Sequence, residues 1–247
     1  MKKDKIIVAM GGGSFNENYP IDKKIVDLSK KKKPKLLFIP TASGDDKIYV
    51  DKVYEAYGDK LNCTCEVLYL IKEKPSKKEI ENKILNADII YVGGGNTFRM
   101  MKIWKKLGVD ILLKKAYEKG TVMCGLSAGS ICWFKYGNSD SRKFNNPNAE
   151  LIKVSGLNLL NALHCPHYDV EKDRKPDLKK MMKKTSGVVA IAIDNNCAIE
   201  IVNDTYKIIT SKNTAHTYKV YWKKKEFIEE KINKTEEYQS LGELLKK

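Results

Sequence analysis

Arginine is almost missing from this chain of 247 residues: Arg99, Arg142 and Arg174 are its only three, although lysine and arginine together number 46. Lysine cannot reproduce the planar, two-pronged contact of a guanidinium with a carboxylate, so each arginine is a candidate ligand contact. Histidine is equally scarce, and only His164, His167 and His216 could serve as an imidazole base. The six cysteines show no Cys-x-x-Cys spacing, and Cys124, Cys132 and Cys197 sit in apolar runs. That usage fits reduced thiols more simply than a disulfide framework. No stretch is apolar enough to span a bilayer, and the five apolar residues before Gly11 are too few for a signal-peptide core. Cytoplasmic residence without a membrane partner is therefore expected. No Pro/Gly/Ser-rich linker, repeat or compositional break divides the chain, so residues 1–247 are expected to form one domain.

A formal charge of +15 raises the question of nucleic acid. The lysines, however, are scattered over every polar stretch, as in Lys30–Lys33, Lys179-Lys180 and Lys223–Lys225, with neither aromatic interleaving nor a recognition helix. They read as solvated surface, and no specific nucleic-acid partner is expected.

Apolar runs alternate with amphipathic ones. Ile6–Met10, Lys35–Ile39, Cys65–Leu70 and Asp88–Val92 read as strands, with helices over Asp22–Lys31, Asp46–Tyr57 and Ser76–Leu85 between them. Ser76 and Glu79 form a capping box. Repeated βα units predict an α/β fold with a mostly parallel sheet and helices on both faces. After Tyr136 the pattern loosens. A helix comes next near Asp177–Lys184, and the strand-like segments Ala198–Val202, Tyr206–Thr210 and Tyr218–Trp222 predict a C-terminal antiparallel hairpin or edge.

Within this rhythm Gly125-Leu126-Ser127-Ala128-Gly129 succeeds the short strand Thr121–Cys124 and precedes a helix over Ser130–Phe134. Small residues on both sides permit the sharp strand-to-helix turn of a nucleophile elbow, with the Ala128 amide aimed where an oxyanion would develop. Two other glycine clusters, Gly11–Gly13 and Gly93–Gly95, also come directly after strands. Neither completes a dinucleotide fingerprint, and no Gly-Lys-Ser/Thr phosphate loop exists, so no NAD, ATP or other cofactor is expected. Gly11–Gly13 reads equally well as a simple turn. His164 and His167 lie in the loop Leu163-His164-Cys165-Pro166-His167-Tyr168-Asp169, too crowded with Cys165 for a common zinc pattern, so no metal is expected.

Gly93-Gly94-Gly95-Asn96-Thr97-Phe98, then Gly125–Gly129, then Pro166-His167-Tyr168, in that order, resemble the peptidase E family of serine peptidases. Those are aspartyl dipeptidases, with cyanophycinases as more distant relatives and a fold like class I glutamine amidotransferases. The resemblance implies Ser127 as nucleophile, His167 as general base, and Ala128 with the Gly94-Gly95 loop as oxyanion hole. It implies a substrate site with Arg174 and Asn96, a small peptide substrate such as a dipeptide with N-terminal aspartate, and a homodimer. The family's glutamate, however, is replaced: Asn195 stands in its place, with Asp194 adjacent and Asp140 a further candidate. An amide oxygen orients an imidazole but does not stabilise its charge, and loss of the acid in a serine triad costs about 10⁴ in rate. Two other readings stay open. One is a catalytically impaired relative that binds a small acidic ligand, and the other an esterase of α/β-hydrolase type using His216 with Asp194 or Asp204.

Overall fold

The computed structural model describes residues 3–247. From the N-terminal side, β1 (Ile6–Met10), α1 (Phe15–Leu28), β2 (Lys35–Ile39), α2 (Lys47–Val53), β3 (Thr64–Val67), α3 (Lys77–Leu85), β4 (Ile89–Val92), α4 (Thr97–Leu107), α5 (Val109–Glu118) and β5 (Val122–Leu126) make up the βα half. Next come α6 (Ala128–Ile131), β6 (Phe134–Ser139), β7 (Ile152–Ser155), β8 (Leu160–Cys165), α7 (Arg174–Lys183), β9 (Ala190–Ile193), β10 (Cys197–Val202) and β11 (Thr205–Thr210). The chain closes with β12 (Thr217–Lys223), β13 (Glu226–Lys231), β14 (Gln239–Ser240) and α8 (Leu241–Leu245).

The strands β1, β5, β4, β2 and β3 lie side by side and parallel. On the other side of β1, the antiparallel strands β10, β11 and β14 extend the sheet to its edge. Alternation along β1 sends Ile7 and Ala9 to one face, with Ile84, Trp104 and Leu113 from α3, α4 and α5. Val8 and Met10 go to the other, with Ile21 and Ile25 of α1 and Val50 and Val53 of α2. Both faces are covered, so the strands can be apolar throughout, as the sequence pattern requires. The fold is mixed α/β with a mostly parallel central sheet, helices on both sides and antiparallel edge strands.

A second, six-stranded sheet, ordered β13-β12-β9-β8-β6-β7, fills the region where the sequence pattern loosens. Its inner residues Ala162 and Ile191 join the core cluster of the main sheet, while its other face packs Leu163 and Ala190 against Leu178 and Met182 of α7. Two sequence expectations are corrected here. The helix after the elbow stops at Ile131 instead of running to Phe134, and Phe134 begins β6. The first helix starts at Phe15, not Asp22, because the Ser14–Glu17 capping box holds its N-terminus and the burial of Ile21 and Ile25 offsets the hydrogen bond lost at Pro20. None of the described helices is long and apolar enough to cross a membrane. All six cysteines are free, and five are buried.

Candidate active site

The parallel pairing of β1 with β5 sets Met10 opposite Leu126, so both strands end at the same level. The site is built from the turns just beyond those two ends. At the end of β5 the chain turns sharply through Ser127, which adopts φ 55° and ψ −116° before α6 begins. A side chain with such a φ is strained, typically by about 1–3 kcal/mol, and must be held by its surroundings. Here Ser127 N–H donates to Met10 O at 3.4 Å, and Ser127 O accepts from Ser130 N, Ile131 N and Ser130 Oγ at 3.0, 2.9 and 2.8 Å. Gly129 packs so closely on Val92 O that a Cβ there would overlap it, which explains the small residue on the far side of the elbow.

The loop after β1 supports the histidine. His167 N–H donates to Gly11 O at 3.0 Å, and Asn196 N–H to Gly12 O at 3.0 Å, so the 167 and 195–196 turns both sit on Gly11-Gly12. His167 is itself at φ 53°. Its Nδ1 lies 2.8 Å from Asn195 Oδ1. The amide oxygen can only accept, so Nδ1 carries a proton, and in the neutral ring Nε2 keeps the lone pair, the tautomer a general base needs. Asn195 is in turn fixed by its backbone N–H donating to Asp169 Oδ1 at 2.8 Å. Asp169 and Gly12 are contributions that sequence reasoning missed. A Cβ on Gly12 would overlap both His167 Nδ1 and Asn195 Oδ1.

Ser127 and His167 therefore border one short backbone segment, Met10-Gly11. Among the described residues no hydrogen bond joins Ser127 Oγ to His167 Nε2. In ligand-free enzymes such bonds are commonly long and tighten only when substrate is held.

The Gly93–Gly95 cluster supplies the remaining wall. A Cβ at Gly94 would stand 3.4 Å from Ser127 Cβ, which places this loop beside the elbow. Gly94 N–H donates to Tyr49 Oη at 3.2 Å, so the expectation that it serves as an oxyanion donor is corrected. Among the described residues the amides of Gly95 and Ala128 have no intramolecular acceptor. Ala128 follows Ser127 in the chain and Gly95 follows the glycine packed beside it, and a free N–H suits a developing negative charge.

The other predicted residues are engaged by partners outside the Ser127–His167–Asn195 set. Asp194 accepts His216 N–H at 2.8 Å through Oδ2, and burial pushes its carboxyl up to about 6. It is committed to His216, whereas the orienting contact of His167 is Asn195. The His216 ring meets Lys231 Nζ at 2.9 Å through Nε2, so this nitrogen is occupied by an ammonium donor and unavailable to a serine. Asp140 lies 4.0 Å from Arg174 Nη2. Arg174 is only 1% exposed; its Nε donates to Glu171 Oε2 at 2.7 Å, and its Nη1 to Asn138 O and Oδ1 at 2.7 and 3.0 Å. A guanidinium so enclosed anchors α7 to β6 and offers no open fork to a substrate carboxylate, which corrects its expected role in binding. Asn96 is also spent: Oδ1 caps α4 by accepting Arg99 N–H at 2.9 Å, and Nδ2 donates to Ser141 O at 3.1 Å. Arg99 donates to Ala42 O at 3.0 Å.

His164, three residues before His167, is fully buried. Its Nδ1 meets Ile191 O at 3.0 Å and its Nε2 meets Ser130 Oγ at 2.8 Å, and burial pushes the ring down to about 3. Burial likewise pushes the Cys165 thiol up to about 12. Neither is a free metal ligand, and among the described residues no group of three His, Cys, Asp or Glu could hold a metal.

Known proteins resemble this chain along most of its length. Residues 7–209 match the model of peptidase family S51. The chain is 36% identical over 229 residues to the uncharacterized peptidase YgaJ of Bacillus subtilis (strain 168), covering 91% of this chain and 96% of that one. It is 32% identical over 136 residues to peptidase E of Shewanella denitrificans (strain OS217), covering 54% of each chain. Among solved structures, a peptidase from an acI-B1 Actinobacterium has a similar fold, with a TM-score of 0.72 at 16% identity and 97% of both chains covered.

Proposed function

The chain belongs to peptidase family S51, and on that premise we propose that it is a serine-type peptidase that cleaves short peptides through Ser127. The observation that supports this reading is that a strained serine and an imidazole facing Asn195 Oδ1 both adjoin Met10-Gly11, where two adjacent parallel strands end. In the proposed reaction Ser127 Oγ attacks the peptide carbonyl carbon as its proton passes to His167 Nε2. The resulting oxyanion is stabilised by the Gly95 and Ala128 amides. His167 then gives the proton to the leaving amine nitrogen, the C–N bond breaks, and an acyl-enzyme remains for water to hydrolyse by the reverse proton path. Asn195 orients the imidazole without neutralising it, so turnover is expected to be slower than with a carboxylate in that place. An N-terminal aspartate, which the family resemblance suggests, has no reader in Arg174.

The test is hydrolysis of a dipeptide panel by the purified protein and two variants. His167→Ala is expected to lose activity by about 10³-fold or more, and His216→Ala to keep it within about twofold. Loss on His216→Ala with retention on His167→Ala would select the esterase-type arrangement instead, and thermal stabilisation by aspartate without any turnover would select the silent binding protein.

A further inference from the structure

A cavity of about 360 Å³ opens beside the elbow, between the start of α1 and the start of α2, and the activity proposed above does not account for it. Three of its walls are continuous with the three parts of the site. Leu126 immediately precedes Ser127, Gly13 is next in the chain to the glycine under the His167–Asn195 pair, and Tyr49 receives the Gly94 N–H at 3.2 Å. A group filling this cavity would therefore lie against residues that adjoin each part of the site.

Its lining decides what it would accept. Phe15, Ile48, Tyr49 and Leu126 give it apolar walls, with the Phe15 and Tyr49 rings 6.0 Å apart and tilted. The charged residues that reach it, Asp46 and Lys52, are of opposite sign, and Asp46 Oδ1 is already engaged in capping α2 through Tyr49 N–H at 2.7 Å. A carboxylate gains little from such a balanced pair, whereas an apolar side chain loses unfavourable contact with water. Ile48, 67% exposed, stands unpartnered on this wall.

We propose that this cavity is the subsite for an aromatic or branched apolar side chain flanking the scissile bond, and that Tyr49 ties its filling to the oxyanion loop. The Tyr49 ring forms the wall and packs against Phe38 and Gly93, while its hydroxyl holds the Gly94 amide, so a side chain pressing on the ring also sets the loop that carries Gly95. Tyr49 is thus a positioning residue that also determines specificity.

This inference rests on Ser127 being the nucleophile, and the experiment separates the two. Two dipeptide series, X-Ala and Ala-X with X as Ala, Asp, Leu or Phe, are hydrolysed by the wild type, Ile48→Asp and Tyr49→Phe. In one series kcat/KM for Phe or Leu is expected to exceed that for Ala and for Asp by about tenfold or more. Ile48→Asp is expected to cut that ratio to about threefold or less with its melting temperature held. Tyr49→Phe, which keeps the ring and loses the hydroxyl, is expected to lower kcat by about tenfold with KM within about twofold. Hydrolysis that is indifferent to X, or best with Asp in both series, overturns the subsite while leaving Ser127 as nucleophile. A wild type that hydrolyses nothing overturns both.

Discussion

Ser127→Ala is expected to abolish peptide hydrolysis, with kcat falling by about 10⁶-fold, the scale on which serine peptidases lose activity when their nucleophile is removed. The free amides of Gly95 and Ala128 would remain, so a small residual rate above water is expected to survive. Stability should respond in a way that marks the residue as strained. Ser127→Gly is equally unable to form an acyl-enzyme, yet glycine reaches φ 55° without penalty. That variant is expected to be more stable than wild type by about 1 kcal/mol. Two measurements check this pair: turnover of the best dipeptide, and the thermal midpoint of each variant. A glycine variant that is less stable than wild type would mean that the bend is relaxed and the elbow is an ordinary turn.

Gly12→Ala is the second large effect. The added methyl would occupy the space of His167 Nδ1 and Asn195 Oδ1 together, so the hydrogen bond that selects the imidazole tautomer cannot persist. Displacement of a reacting group by about 1 Å costs about 10² in rate, and loss of the tautomer costs about 10⁴, which bracket the expected fall in kcat. The core beneath is untouched, since Gly12 lies in the loop beyond β1. Nitrogen-detected NMR of His167 reads the cause directly: a single Nδ1–H tautomer in the wild type and a mixture in the variant. An unchanged kcat would show that the Asn195 contact plays no part in activity.

How far these features could be seen in the chain itself depends on whether their causes are local. The elbow is legible because its requirement is local: a strand, a bend too tight for bulky neighbours, and a helix start, all within a short stretch of chain. The central sheet is legible because strands buried on both faces are apolar throughout. The six-stranded sheet is not, because β6 carries Asn138 and Ser139, buried polar residues of which Asn138 is satisfied by the distant partners Asp177 and Arg174. Scarcity marks Arg174 as special, but its burial depends on Asn138 and Glu171 meeting it in space. Scarcity therefore picks out an important residue and misplaces its role. Gly12 looks like any turn glycine until the 195–196 turn is laid across it. Tyr49 reads as an ordinary helix residue, with nothing in its neighbourhood of sequence to link it to a loop 45 positions away.

The central claim is that the His167 imidazole activates the Ser127 hydroxyl, and covalent labelling with a fluorophosphonate tests it most directly. Intact mass and peptide mapping should show one adduct per chain, on the peptide containing Ser127. Its rate of formation should fall by about tenfold or more in His167→Ala and stay unchanged in His216→Ala. An absent adduct, or one that forms on Ser127 at the same rate without His167, would contradict the claim.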